Sequence, residues 1–318
     1  MLLKDIIERG TKMLSVMYPV EEARQTVFAY LEDVLGVRRH THIIEPDYQV
    51  PEEKVPDVLD AFERMSSGEP VQYILGRAWF YGRQFRVTSD VLIPRPETEI
   101  LVSSVADLER KGGDDMRIGD RLRILDLCTG SGCIAWTLAL EMPGSEVMAV
   151  DISEGALSVA SEQDFSDEIS RTGAVRPRFV EADILRGPEN CPELCPGGRS
   201  PDVGGCRKFD IIVSNPPYVM DSEKAQMRTN VLDNEPHLAL FVPDDDPLKF
   251  YRAVSAWASA LLKEGGVGIV EINEALGKET ADLFRESGFI YTEIIRDLHE
   301  KDRFVRFSRS PFQKNRFF

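Results

Sequence analysis

Histidine and cysteine are scarce in this 318-residue chain, with 4 and 5 copies, and 38 Lys and Arg face 54 Asp and Glu. Each shortage excludes something. A net charge of −16 with no dense Lys/Arg run argues against a partner bound through its phosphate backbone, because such a chain repels polyanions. No apolar stretch approaches the length of a membrane span. The opening "MLLKDIIERG" carries charge too early for a secretory apolar core, and its Asp5 and Glu8 do not suit an acid-poor transit peptide. A soluble, cytoplasmic protein is expected. Cys191, Cys195 and Cys206 share one stretch, "LRGPENCPELCPGGRSPDVGGC", but a structural zinc takes four ligands and no fourth stands nearby. They read as free thiols in a surface insertion, and no metal is expected.

What is present is an ordinary apolar content of 42%, enough for one large domain and a small one. Up to about residue 75, "LLKDIIERGTKMLSVM", "EEARQTVFAYLEDVLG" and "PEEKVPDVLDAFERMSSG" repeat apolar residues at three and four spacing, which predicts a helical domain. Residues 76–95, including "AWFYGRQFRV", alternate apolar and polar residues about a central "YGR" and predict a β-hairpin linker. Residues 96–318 form the remaining domain.

From about residue 120, "LRILDLC", "SEVMAVDI", "RPRFVEAD", "FDIIVSN" and "GGVGIVEIN" alternate with helical patterns, which predicts an α/β fold with a parallel, doubly wound sheet. The tail adds "YTEIIRDL" and "RFVRFSR" with only "HEKD" between them. That gap admits a hairpin but no crossover helix, so one antiparallel strand is expected at the end of the sheet.

Ligands of such sheets lie at the carboxyl ends of the strands, where the strand order reverses. After the first strand come Asp126, Leu127, Cys128, Thr129, Gly130, Ser131 and Gly132, a turn that lets backbone approach a ligand. Ala135 stands where a dinucleotide fingerprint needs its third glycine, and such a turn also serves as a plain strand-to-helix connection. Asp151 ends the second strand and is placed to accept from both hydroxyls of a ribose; its competing role is a helix N-cap, which Ser153 already suits. Asp183 ends the third strand, at the level of an adenine edge or as an ordinary loop carboxylate.

The fourth strand ends in "SNPPYV", where two prolines stop the ladder rigidly. A planar amide or exocyclic amine is a poor nucleophile, so it must be held in line with a methyl donor by fixed acceptors. The Asn215 side-chain oxygen and the Pro216 carbonyl can each take one hydrogen of a single NH₂; Pro217 stiffens the corner and Tyr218 can lie flat against the planar group. By itself this corner does not choose between adenine and glutamine.

"DLCTGSGCIA", "VDIS" and "NPPYV" resemble the S-adenosylmethionine-dependent amino-methyltransferases, and "EPVQYILGRAWFYGRQFRV" with "VLIPRPETEILV" resembles the HemK/PrmC family of peptide chain release factor glutamine-N5 methyltransferases. Further blocks, "NEPHLAL", "LLKEGGVGIVEI" and "DLHEKDRFV", extend the resemblance over about residues 20–309. It implies a Rossmann-like, seven-stranded, mostly parallel sheet behind a small helical domain that helps dock the substrate protein. It implies S-adenosylmethionine as methyl donor, with Cys128, Thr129, Gly130, Ser131 and Gly132 around the methionine moiety and Asp151 on the ribose. Asp183 and Ile184 would border the adenine. Asn215, Pro216, Pro217 and Tyr218 would grip the amide of the Gly-Gly-Gln glutamine of class I release factors, and Arg95, Pro96, Glu97 and Thr98 would lie beside the donor. A monomer without direct nucleic-acid contact is expected. Other readings are a glutamine methyltransferase of a ribosomal large-subunit protein, an adenine-N6 methyltransferase, or a docking protein without turnover. The chain departs from the family pattern at the insertion 186–207, at "FVPDDDP" and at "ASEQD".

Overall fold

The computed structural model of the chain describes residues 1–111, 121–196 and 205–312. Two compact units emerge, Met1–Arg77 with Met227–Glu235, and Ala78–Gln226 with Pro236–Phe318. The first unit contains α1 (Leu3–Leu14), α2 (Val20–Leu35), α3 (Thr41–Ile44), α4 (Val55–Ser66) and α5 (Val71–Leu75). Buried Leu3, Ile6, Ile7 and Leu14 make one stripe of α1, which meets Val27 and Leu31 of α2 and Val58 and Phe62 of α4 in a single apolar core.

The second unit opens with a hairpin, β1 (Arg77–Phe80) and β2 (Arg83–Arg86), followed by α6 (Glu99–Lys111). Strands and helices then alternate: β3 (Arg123–Leu127), α7 (Cys133–Glu141), β4 (Glu146–Asp151), α8 (Glu154–Ser161), α9 (Ser166–Thr172), β5 (Arg178–Glu181) and β6 (Phe209–Ser214). After these come β7 (Val219–Met220), α10 (Thr229–Asn234), β8 (Phe241–Val242), α11 (Lys249–Leu261), β9 (Leu262–Glu271), α12 (Gly277–Glu286), β10 (Tyr291–Arg296) and β11 (Asp302–Ser308). The sequence reading keeps all residues after 96 in one domain; the segment carrying α10 instead groups with the helical unit, where Asn234 Nδ2 donates to the Gly68 carbonyl at 3.0 Å and Arg228 pairs with Glu22.

The main sheet has the order β10-β11-β9-β6-β3-β4-β5. The chain leaves β3 for β4 and β5 on one side and returns to β6 on the other, so the order reverses at the carboxyl ends of β3 and β6. β11 is antiparallel to both of its neighbours, and its hairpin partner β10 takes the edge. The antiparallel strand therefore lies one place inside the sheet end where the sequence predicts it. Side chains alternate between faces: Ile124, Val147 and Ile211 face α6 and α7, while Leu125, Met148 and Ile212 face α11 and α12. Among the described residues no helix is long and apolar enough to cross a membrane.

The insertion corrects the sequence reading. Cys191, Leu194 and Cys195 are buried in the same core as Trp257 of α11, and Cys195 is bonded to Cys206. None of the three is a free surface thiol: Cys191 is free but buried, Cys195 and Cys206 are bonded to each other, and Cys191, Leu194 and Cys195 complete the apolar layer beside α11. The two bonded sulfurs are no longer available as metal ligands.

Candidate active site

The turn after β3 is built from backbone. Thr129 N–H donates to the Val150 carbonyl at 3.0 Å, which ties the turn to β4, and the Thr129 hydroxyl donates to Asp126 Oδ2 at 2.6 Å. Gly130 and Gly132 both sit in the left-handed region, at φ 55° and 78°. Their surroundings differ. A Cβ on Gly130 would meet nothing within 4 Å, whereas one on Gly132 would lie 3.0 Å from the Ala160 Cβ and 3.1 Å from the Trp136 ring. Gly130 thus opens on free space and Gly132 on packed side chains.

Asp151 ends β4 with its carboxylate bound on both oxygens, Oδ2 accepting from Gly130 N–H at 2.8 Å and Oδ1 from Ser153 N–H at 3.0 Å. Burial pushes its carboxyl above the ordinary range, against the pull of those amides. Asp126 beneath it is fully buried and pushed up to about 7 by burial, with the charge of Asp151 adding to the rise. Asp183 caps the short turn after β5 by accepting from Leu185 N–H at 2.9 Å, and Ile184 is buried there.

The corner after β6 is held from three directions. Ser214 Oγ donates to the Leu127 carbonyl at 2.8 Å, which locks the end of β6 to the end of β3. Asn215 Nδ2 donates to Thr98 Oγ1 at 3.3 Å, and Thr98 donates in turn to Glu271 Oε2 at 2.7 Å. Tyr218 reaches the other oxygen of the same acid, its hydroxyl 3.0 Å from Oε1. Glu271 closes β9 and is 1% exposed, so burial raises its carboxyl while the two hydroxyls and Arg303 pull it down.

These elements enclose one cleft of about 1110 Å³ including its open mouth. Of the residues singled out from the sequence, Cys128, Thr129, Gly130, Ser131, Asp151, Asp183, Ile184, Asn215 and Pro217 line it, with Arg95 and Thr98 of the "PRPETE" segment. Gly132, Pro216 and Tyr218 are outside the lining. Tyr218 is a strut between the corner and Glu271 here, in place of the flat wall expected from the sequence.

The amino-terminal part matches the PrmC N-terminal domain over residues 5–76, and residues 118–305 match a methyltransferase domain. A release factor glutamine methyltransferase of Flavobacterium psychrophilum is 34% identical over 308 residues, covering 96% of this chain and 99% of its own. One of Bacteroides thetaiotaomicron is 38% identical over 297 residues, covering 93% and 96%. The chain belongs to the HemK/PrmC family of release factor glutamine methyltransferases. Among solved structures, a release factor-specific protein-(glutamine-N5) methyltransferase of Alicyclobacillus acidocaldarius is 27% identical, with a TM-score of 0.39 over 71% of this chain and all of that one.

Within this HemK/PrmC member, two positions escape sequence reasoning. Glu271 is one; its only signal is a carboxylate at the end of an apolar strand, "GVGIVEI". The other is Gln163, inside the departing "ASEQD" stretch, whose side chain accepts from Arg86 N–H at 2.8 Å and donates to the Ser131 carbonyl at 3.1 Å. It clips the glycine turn to the hairpin. The departing "FVPDDDP" loop is likewise tied down, Asp244 accepting from the Ser222 amide and hydroxyl at 2.9 and 2.8 Å. The chain fits the donor that a methyltransferase domain implies: Gly130 leaves room against the turn, Asp151 offers acceptor oxygens, and Ile152, Ile184 and Leu185 supply an apolar wall.

Proposed function

We propose that this enzyme methylates the side-chain amide nitrogen, N5, of the glutamine in the Gly-Gly-Gln loop of class I peptide chain release factors, and so modulates translation termination. S-adenosylmethionine, when bound, supplies an electrophilic methyl group on a sulfonium sulfur. Gly130 and the neighbouring Cys128, Thr129 and Ser131 would hold its methionine part, Asp151 its ribose, and Asp183 with Ile184 its adenine. The observation that carries the reading is the Asn215 side chain at the cleft wall, clamped through Thr98 to a buried acid.

The chain's own work is orientation. Asn215 Oδ1 and the Pro216 carbonyl take the two amide hydrogens, which favours the pyramidal nitrogen that attacks. The prolines hold both acceptors still, so little reorganisation is needed as charge develops. No strong base is required, because the amide proton becomes acidic only as the new bond forms. The helical unit helps dock the release factor. The chain works as a monomer in the cytoplasm, and its net charge of −16 supports a protein target over a nucleic acid.

The test is transfer of labelled methyl to purified class I release factors carrying either Gln or another residue in the loop. Label on the Gln protein alone is expected. Label that persists without that Gln, or that appears on a ribosomal protein, DNA or RNA instead, would overturn the reading.

A further inference from the structure

We infer that Glu271, acting through Thr98, fixes which end of the Asn215 side-chain amide faces the cleft, and that this polarity makes the site select a glutamine amide over a glutamate carboxylate. The inference rests on the reading that Asn215 receives the substrate amide.

An asparagine side chain has nearly the same shape with its oxygen and NH₂ exchanged, so Asn215 alone does not decide which of them meets the substrate. The chain behind it does. As a carboxylate Glu271 only accepts, and it takes the single hydroxyl hydrogen of Thr98 at 2.7 Å. Thr98 Oγ1 then has only lone pairs left for Asn215, which must present its NH₂ across the 3.3 Å contact. The reverse orientation would set two oxygens against each other with no hydrogen between them. Thr98 and Glu271 are 2% and 1% exposed, which leaves no room for bulk water to repair such a mismatch. The Asn215 oxygen is therefore the end turned away from Thr98.

The second oxygen of Glu271 makes the arrangement rigid. Tyr218, three residues beyond Asn215, donates to it at 3.0 Å, so one acid fixes both ends of the Asn-Pro-Pro-Tyr corner. An acceptor presented to the cleft attracts an NH₂ and opposes a carboxylate oxygen. Loss of a matched partner is discriminated far more strongly than a change of bulk. Thr98 and Glu271 are positioning residues in this account.

The test compares the full-length parent, Thr98→Val, Thr98→Ser and Asn215→Ala. With S-adenosylhomocysteine present, calorimetry measures affinity for a release factor carrying Gln or Glu in the loop; turnover is measured separately on the Gln protein. The parent should prefer Gln by about tenfold or more, and Thr98→Val should bring the two affinities to within about threefold, since the amide can then turn over. Thr98→Val should also lower kcat with little change in KM, and Thr98→Ser should restore both quantities. If Thr98→Val is too unstable to purify, Thr98→Ala reports the same ratio. A parent ratio and turnover retained in Thr98→Val would overturn the inference alone. Turnover retained in Asn215→Ala would overturn the underlying reading, so the two failures are distinguishable.

Discussion

Asp126 has no exposure to water, and burial carries its carboxyl up to about 7 even though Thr129 donates to it. An unfolded aspartate releases its proton near pH 4. Between about pH 4 and 7 the folded chain therefore holds a proton that the unfolded chain has lost, and stability falls as pH rises across that window. Asp126 lies under the turn that lines the cleft, so a cationic donor bound there would offset part of this buried charge. Asp126→Asn is expected to flatten the pH dependence of the donor-free enzyme, recovering about 2–4 kcal/mol of the loss between pH 5 and 7.5. Urea unfolding midpoints at the two pH values read this directly. Equal slopes for parent and variant would show that Asp126 titrates normally.

The strand-to-helix turn shows why elements and their motifs were legible while their couplings were not. Asp126 to Gly132, Asp151, Asp183 and Asn215 each follow a short aliphatic run, and in the structure each stands at the carboxyl end of a parallel strand. Period and punctuation carry that information locally. The tie between Thr98 and Glu271 spans 173 residues, and a strand-end glutamate gives no local sign of what its oxygens will meet. The burial of Cys195 and its bond to Cys206 are equally non-local, since spacing alone does not tell a thiol from a disulfide. The two turn glycines look alike in sequence and separate only in space. Gly132→Ala should cost about 2–4 kcal/mol of stability, from left-handed strain and the tight contacts to Ala160 and Trp136. Gly130→Ala faces open space and should cost only the strain of about 1–2 kcal/mol, but its methyl would enter the cleft and weaken donor binding. Unfolding midpoints paired with S-adenosylhomocysteine affinity separate the two; equal losses of both quantities in both variants would sink the distinction.

At the scale of the whole molecule, the insertion, one of the departures from the family pattern, is expected to act on stability more than on chemistry. The Cys195–Cys206 bond joins residues 11 apart, a short closure that stabilises chiefly by restricting the unfolded chain. Such a loop should contribute about 2–3 kcal/mol. The nearby cleft wall has its own supports: Trp257 Nε1 donates to the Ile184 carbonyl at 2.8 Å, and Asp183 caps the turn through Leu185. Reduction should therefore lower the urea midpoint while donor affinity stays within about twofold, because those hydrogen bonds do not depend on the bond. Cys195→Ser with Cys206→Ser should reproduce the reduced protein and respond no further to reductant. Under reducing conditions the enzyme would then run on its apolar core alone, with Leu194 and Cys191 still packed beneath α11. A parent whose midpoint ignores reductant would mean that the bond is not formed in solution. Methyl transfer that collapses on reduction would mean that the insertion supports the site itself.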